Sequence, residues 1–205
     1  ADYRQTSEEL RFQSKWDGPI NMLFGLFASS NKFIFNTDAY IFPVPISPVT
    51  NTYTTFKRDN GFSGSSMSAF GEVTANLTDT VGLAGGARWS YEARNSYQAS
   101  LPAHVAFASA FPAGLRLDDR YRETDLSPQV TLRYKPSRDL TFYAAYKEGF
   151  KSGGFNISQT LTPAATEAAG EYGAERARGG EVGARAILMG GALSLNATAY
   201  YYDYL

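Results

Sequence analysis

The sequence predicts an all-β chain: an antiparallel transmembrane β-barrel segment of about eight strands in four hairpins, with short periplasmic turns and long extracellular loops. Three observations predict it. Apolar and polar residues alternate with period two over arms of ten or more residues, which gives a strand with one greasy face, long enough to cross hydrocarbon when tilted. Aromatics such as Trp16, Trp89, Tyr91, Tyr134 and Tyr201 gather near arm ends, where rings with an apolar body and a polar tip favour an oil–water boundary. Reversals alternate strictly between short and long, as they do in a membrane barrel.

Taken in order, the first arm runs from Thr6 to Trp16, with Leu10, Phe12 and Trp16 opposing Glu9, Arg11, Gln13 and Lys15, and Asp17-Gly18-Pro19 turns it. The return from Asn21 to Phe35 is apolar on both sides in its middle, so its parity stays open. Pro43, Pro45 and Pro48 mark the connection from Asn36 to Asn60 as a surface loop rather than a central strand. The third arm, Ser66 to Asn76, sets Met67, Ala69, Val73 and Ala75 against Ser68, Glu72, Thr74 and Asn76, and Phe70 breaks its pattern. After Leu77-Thr78-Asp79-Thr80, the fourth arm separates Val81, Leu83, Ala87, Trp89 and Tyr91 cleanly from Arg88, Glu92 and Arg94.

A second long loop, Asn95 to about Arg120, holds the apolar piece AHVAFASAF, read as a short helix or an inward-folded segment. The plainest hairpin follows. Val130, Leu132 and Tyr134 alternate with Gln129, Thr131 and Arg133; Leu140, Phe142, Ala144 and Tyr146 alternate with Thr141, Tyr143, Ala145 and Lys147. Pro136-Ser137-Arg138-Asp139 joins these arms. Gly149, Gly153 and Gly154 are expected to release the chain into a loop from Ile157 to Gly173. In the last pair of arms, Val182, Ala184, Ala186 and Leu188 oppose Glu181, Gly183 and Arg185, and Leu193, Leu195, Ala197 and Ala199 oppose Ser194, Asn196, Thr198 and Tyr200, around the turn Met189-Gly190-Gly191-Ala192.

Composition narrows the function. The chain has 205 residues, 43% hydrophobic, 15% aromatic and 19% charged, with fourteen Tyr, nineteen Gly and a net charge of −1. Without a basic field, a nucleic-acid partner is excluded as a reading. With no cysteine there is no disulfide framework and no thiolate metal site, and no cofactor is implied. No apolar run reaches the ~18 residues of a membrane helix. The start lacks the basic, apolar, small-residue series of a secretory signal, and Ala1 reads as a cut.

Alternation alone does not say whether the apolar face points into a core or out into lipid, because a soluble barrel has the same period. The opposite face decides. It carries Arg11, Lys15, Glu72, Arg88, Arg94, Arg133, Lys147, Glu181 and Arg185, more charge than a small dry core accommodates. An aqueous or plugged interior accommodates it.

The hairpin LSPQVTLRYKPSRDLTFYAAYKEGFKSGGFN, Leu126 to Asn156, resembles the Ser-Pro, Arg-Tyr, polar turn, Tyr-x-x-Tyr-x-x-Gly-Phe-x-x-Gly-Gly-Phe-Asn pattern of TonB-dependent outer-membrane receptors. Further pieces agree in order: Glu9-Leu10-Arg11-Phe12 then Gly25-Leu26-Phe27, Ala69-Phe70-Gly71-Glu72 then Gly86-Ala87-Arg88-Trp89, and Glu181-Val182-Gly183 then LSLNATAYYYDY. The resemblance implies the bacterial outer membrane, outer-membrane lipid around the chain, and uptake of a small-molecule substrate such as a ferric siderophore. It also implies TonB as energising partner, engaged through an N-terminal region missing here. That family closes its barrel with more strands around a plug, so residues 1–205 are expected to be an internal fragment of the barrel domain, with no plug.

For ligand contact, Arg94, Lys147 and Lys151 share the polar parity toward the long loops, where cations suit an anionic siderophore, and Tyr143 lies lower as a stacking surface. The competing reading pairs each cation with a plug or neighbouring-strand carboxylate. Two other functions compete with this reading. A complete eight-stranded barrel of adhesion or anchor type accounts for the strand count directly. An outer-membrane hydrolase needs His104, the only histidine, met by Asp118 or Asp119; a lone loop histidine is usually solvated, and the chain is read as non-enzymatic.

Overall fold

The computed structural model describes every residue except 160, 167 and 169. Eight strands form one antiparallel sheet: β1 (Asp2–Gln13), β2 (Ile20–Ala39), β3 (Phe56–Asn76), β4 (Val81–Leu101), β5 (Arg116–Ser137), β6 (Leu140–Lys151), β9 (Glu175–Leu188) and β10 (Leu193–Tyr204). Between β6 and β9 the chain makes a small separate hairpin of β7 (Gly154–Phe155) and β8 (Glu171–Tyr172). Each long strand pairs with its sequence neighbour, so the order in space is the order in the chain apart from this inserted hairpin. The sheet does not close. β1 and β10 each have one neighbour only, so the eight strands do not form the complete small barrel that strand count alone allows.

Register turns alternation into two surfaces. Directly opposed residues share a face, and the pairs Leu10↔Leu26, Leu26↔Ala69, Ala69↔Trp89 and Trp89↔Leu126 run one apolar row across five strands. Below it, Met22, Val73, Gly85, Val130, Tyr146, Gly180 and Tyr201 form a row across seven strands, and Leu83, Leu132, Ala144, Val182 and Ala199 another. These rows settle the parity of β2: Met22, Phe24, Leu26 and Ala28 belong to the apolar face, and Leu23, Gly25 and Phe27 to the other.

The apolar band has no protein to bury it. Leu10, Phe12, Met67, Leu126, Val182 and Leu195 are at least half exposed, and among the described residues the buried hydrophobic side chains are Ala145 and Leu161 alone. A water-soluble domain of this size buries a core; here the band of leucine, valine and aromatic rings is the surface that hydrocarbon covers. No helix among the described residues is long and apolar enough to cross a membrane, so the strands do the crossing.

Several boundaries differ from those expected. β2, β3, β4 and β5 run 20 to 22 residues, roughly twice the span a tilted strand needs to cross hydrocarbon. The loops shorten accordingly to 40–55 and 102–115. β1 starts earlier and ends at Gln13, because Ser14 and Trp16 are drawn into the turn: the Trp16 N–H donates to Asn21 Oδ1 at 2.8 Å and Ser14 Oγ bonds the same oxygen at 3.0 Å. Gly149 lies inside β6 rather than ending it. The turn of the central hairpin is shorter than Pro136-Ser137-Arg138-Asp139, since β5 continues through Ser137 with a register shift after Tyr134. The apolar piece of the second loop forms a 3-10 turn, Val105–Phe107, capped by the His104 ring.

A charge on the apolar face should be costly and one on the opposite face cheap. In the full-length protein refolded into lipid vesicles, Val182→Arg is expected to lower unfolding stability by about 2–4 kcal/mol, and Asn196→Arg by less than about 1 kcal/mol; equal losses in denaturant titrations would contradict the assignment of faces.

Candidate functional site

The inner face is built from the residues between those of the apolar rows. Arg11, Gly25, Phe70, Arg88 and Ser127 form one inner row, and Glu72, Gly86, Gln129 and Lys147 lie in the next. Phe70, an oddity in the strand pattern, is explained by its cross-strand partner. Its ring lies over Gly25, which leaves it the room, and stands between the guanidinium of Arg88 at 5.5 Å and that of Arg11 at 5.9 Å. An aromatic on the wet face is thus sandwiched between cations.

Toward the long-loop end the inner face becomes concave and covered. Above Gln129↔Lys147, β5 and β6 stop pairing, and the segment between β6 and β9 folds into the space. Arg58 on β3 holds it, donating from Nη1 to the carbonyls of Ser158 at 2.8 Å and Gln159 at 2.6 Å; Gln98 donates to the Asn156 carbonyl at 3.2 Å. Burial depresses the Arg58 pKa below its ordinary value, which is the cost of holding a cation against carbonyl oxygens rather than water. Gly153 and Gly154 permit the approach, their backbones resting against the Tyr121 ring and against Arg94 and Tyr172. Arg176 of β9 closes the opened seam from the other side, reaching Glu123 at 2.6 Å and Asp125 at 3.0 Å on β5.

Beneath this inserted segment lies a concavity of about 640 Å³, lined by Ser66, Phe70, Arg88, Ser90, Glu92, Arg94, Ser127 and Ser152 among others. Its walls are hydroxyls, two guanidiniums, the carboxylates of Glu72, Glu92 and Glu148, the Gln129 amide and the rings of Phe70 and Phe150. Such a lining suits a polar solute of several hundred daltons through hydrogen bonds and charge. No group of three or more His, Cys, Asp or Glu side chains placed to hold a metal ion occurs among the described residues.

The four residues singled out from sequence do not meet. Arg94 lines the concavity and has no ion pair among the described residues. Lys147 is bound to Glu181 across the β6–β9 ladder at 2.6 Å, and Lys151 to Glu175 at 3.1 Å. Tyr143 lies over Gly183, and its hydroxyl meets Thr198 Oγ1 at 2.8 Å, well down the inner face. Sequence reasoning missed Ser66, Ser90 and Ser127 as lining residues; the inner-face parity of Arg88 was legible, its place beside Phe70 was not. His104 serves the loop: its Nε2 lies 3.1 Å from the Pro45 carbonyl and its Nδ1 accepts from the Ala106 N–H. Asp118 is held by Arg116 at 2.6 Å. The Ser-His-Asp type of arrangement has no basis in these contacts.

An antiparallel sheet that is apolar on one face and wet, charged and concave on the other defines part of the wall of a membrane barrel. Residues 1–204 match the family of TonB dependent receptor-like β-barrels, and the chain belongs to that family. Its members are transporters rather than enzymes and reside in the bacterial outer membrane. Among solved structures, the chain is similar to the ferric yersiniabactin uptake receptor FyuA from Yersinia pestis, with a TM-score of 0.80 at 20% identity over 98% of this chain and 28% of that one. It is also similar to the ferric-catecholate import receptor Fiu from Escherichia coli K12, with a TM-score of 0.65 at 13% identity over 98% of this chain and 31% of the other. The chain thus spans less than a third of either receptor, and the likeness is one of fold. No curated protein matches the sequence.

The inserted segment should depend on Arg58. Arg58→Ala is expected to speed proteolytic nicking between residues 152 and 174 about tenfold or more, because two charge-assisted hydrogen bonds are lost. Arg58→Lys should restore part of the protection, and an unchanged nicking rate in Arg58→Ala would show that the segment is held otherwise.

Proposed function

We propose that the chain is an internal section of the barrel of an outer-membrane receptor that imports a scarce nutrient, an iron–siderophore complex, with energy delivered through TonB. In this reading the short turns face the periplasm and the long loops the exterior. Further strands pair with β1 and β10, since hydrocarbon leaves no unpaired backbone edge unsatisfied. A plug and the segment that engages TonB belong to parts of the protein outside residues 1–205.

The observation that carries the proposal is the polar concavity under the inserted segment, at the long-loop end of a wall belted in apolar residues. A ferric siderophore is a polar, often anionic chelate, and Arg94 and Arg88 present cations to it there while Ser66, Ser90 and Ser127 offer hydrogen bonds. The named substrates of the similar receptors, ferric yersiniabactin and ferric catecholates, belong to this chemical class. Of the four residues first singled out, we assign Arg94 to the ligand directly. Lys147, Lys151 and Tyr143 are assigned to the support of the wall through Glu181, Glu175 and Gly183.

Growth of a receptor-deletion strain on a panel of defined iron–siderophore sources tests both levels. The account expects one source to fail in the deletion and to be restored by the intact gene, with Arg94→Ala restoring it about tenfold less well, a loss of one charged hydrogen bond, and Lys147→Met restoring it fully. Equal growth of deletion and wild type on every iron source would overturn the iron reading.

A further inference from the structure

Beside the concavity the wall opens sideways. Pairing of β5 with β6 ends at Gln129↔Lys147, and the next pair would set Pro128, which has no N–H to give a ladder, opposite Glu148. Continued further, the same register would put Phe150 opposite Leu126 on the outward face, as the next member of the apolar row that ends at Leu126. Phe150 and Glu148 line the inner concavity instead. Arg176, the β9 partner of Phe150, reaches the inward carboxylates Glu123 and Asp125 of β5. The upper ends of β6 and β9 therefore lie inward of β5, and Pro128 and the exposed Leu126 flank a gap in the apolar band itself.

Below the gap, the lipid side of the same strands is hollowed into an apolar trough of about 600 Å³. In the register row Val130, Tyr146, Gly180, Tyr201 a glycine sits between two tyrosines, and in the next row Ala144 and Ala199 flank Val182. The small residues make the floor, and the rings of Tyr146 and Tyr201 make the walls. Trough and concavity stand back to back. Gln129 lines the concavity and Val130 the trough; Glu148 lines the concavity and Tyr146 the trough. The pair Gln129↔Lys147 is the sill between them, and above it the two strands are unpaired. A second apolar trough, about 500 Å³ beside Ala28, Met67, Ala69 and Trp89, lies where the ladder is unbroken and has no such route inward.

We infer that the imported solute is an amphiphile: a polar iron chelate seated in the concavity, whose acyl tail leaves through the β5–β6 gap past Phe150 and Pro128 and lies in the trough between Tyr146 and Tyr201. The inference rests on the uptake reading given above. Three strand spacings separate Val130 from Tyr201, roughly 15 Å, so the trough takes an extended chain. Its continuity with the polar chamber selects the solute's own tail as occupant; a tail of bulk lipid needs no gap, and a wholly polar chelate leaves gap and trough unused. Moving the tail from water into hydrocarbon supplies binding that the polar lining does not. The unpaired edge of β5 borders the wet chamber, where water satisfies it.

The test uses the full-length receptor in lipid nanodiscs. Ferric chelates with hydroxamate, catecholate and hydroxycarboxylate heads are each prepared with a dodecanoyl tail ending in a photoreactive diazirine, and again with an acetyl cap in place of the tail. Binding is followed by quenching of tryptophan fluorescence, and labelled residues are mapped by peptide mass spectrometry after irradiation. At least one tailed chelate is expected to label the trough around Tyr146, Val182 and Tyr201 about tenfold or more over that around Met67 and Trp89, because a seated head raises the tail's effective concentration there. Excess of its acetyl-capped form should abolish that labelling. Equal labelling of the two troughs, or labelling that the capped form leaves unchanged, would overturn the inference, since the tail would then be dissolved in bulk lipid. A capped chelate that binds while its tailed form does not would overturn it and leave the uptake reading intact. Binding of no chelate in either form would overturn both.

Discussion

Everything in this structure follows from one constraint: inside hydrocarbon there is no water to bond a peptide group, so every N–H and C=O must find its partner within the protein. Strands meet that requirement only side by side, and the ladder from β1 to β6, β9 and β10 does so through the apolar band, apart from the outer part of the β5–β6 seam. Once the ladder is fixed, alternation is no longer a local property of each strand. It becomes rows, and a row such as Leu10–Leu26–Ala69–Trp89–Leu126 is apolar on all five strands because a single slip in register would carry ionic residues into lipid.

The same ladder releases the inner face for other uses. Freed from contact with hydrocarbon, it carries Arg11, Arg88, Glu72 and Lys147, and it packs aromatics onto glycines: Phe70 over Gly25 and Tyr143 over Gly183. Above Gln129↔Lys147, β5 and β6 part, and side chains take over from the ladder in holding the seam. The inserted segment, Arg58 beneath it and Arg176 across the seam convert that gap into a covered concavity. The structure thus changes character along its length, from a wall held by backbone pairing to a chamber held by side chains.

That change explains what the sequence reveals and what it hides. The hairpins, their four tight turns and the faces of every arm but the second are legible wherever one face meets lipid and the other water, and the hairpin from Leu126 carries the family pattern besides. Beyond the band both faces are wet, so stretches such as Lys57-Arg58-Asp59-Asn60 and Asn95-Ser96-Tyr97-Gln98 lose their alternation while remaining strand. They read as loop. Phe70 reads as an irregularity until Gly25 is set opposite it, and no local pattern joins Arg58 to carbonyls a hundred residues away. Of the candidate site, the inward parity of Arg94 was visible; the partners that occupy Lys147 and Lys151 lie on another strand and needed the register of β9.

The measurement that bears most directly on this account is a nitroxide scan of β5 from Leu126 to Arg133, one spin label at a time, in the full-length protein reconstituted into lipid. With hydrocarbon on the band, collision with oxygen should peak at 126, 128, 130 and 132, and collision with a water-soluble nickel reagent at 127, 129, 131 and 133. Loss of that two-residue alternation, or oxygen maxima at the odd positions, would contradict it.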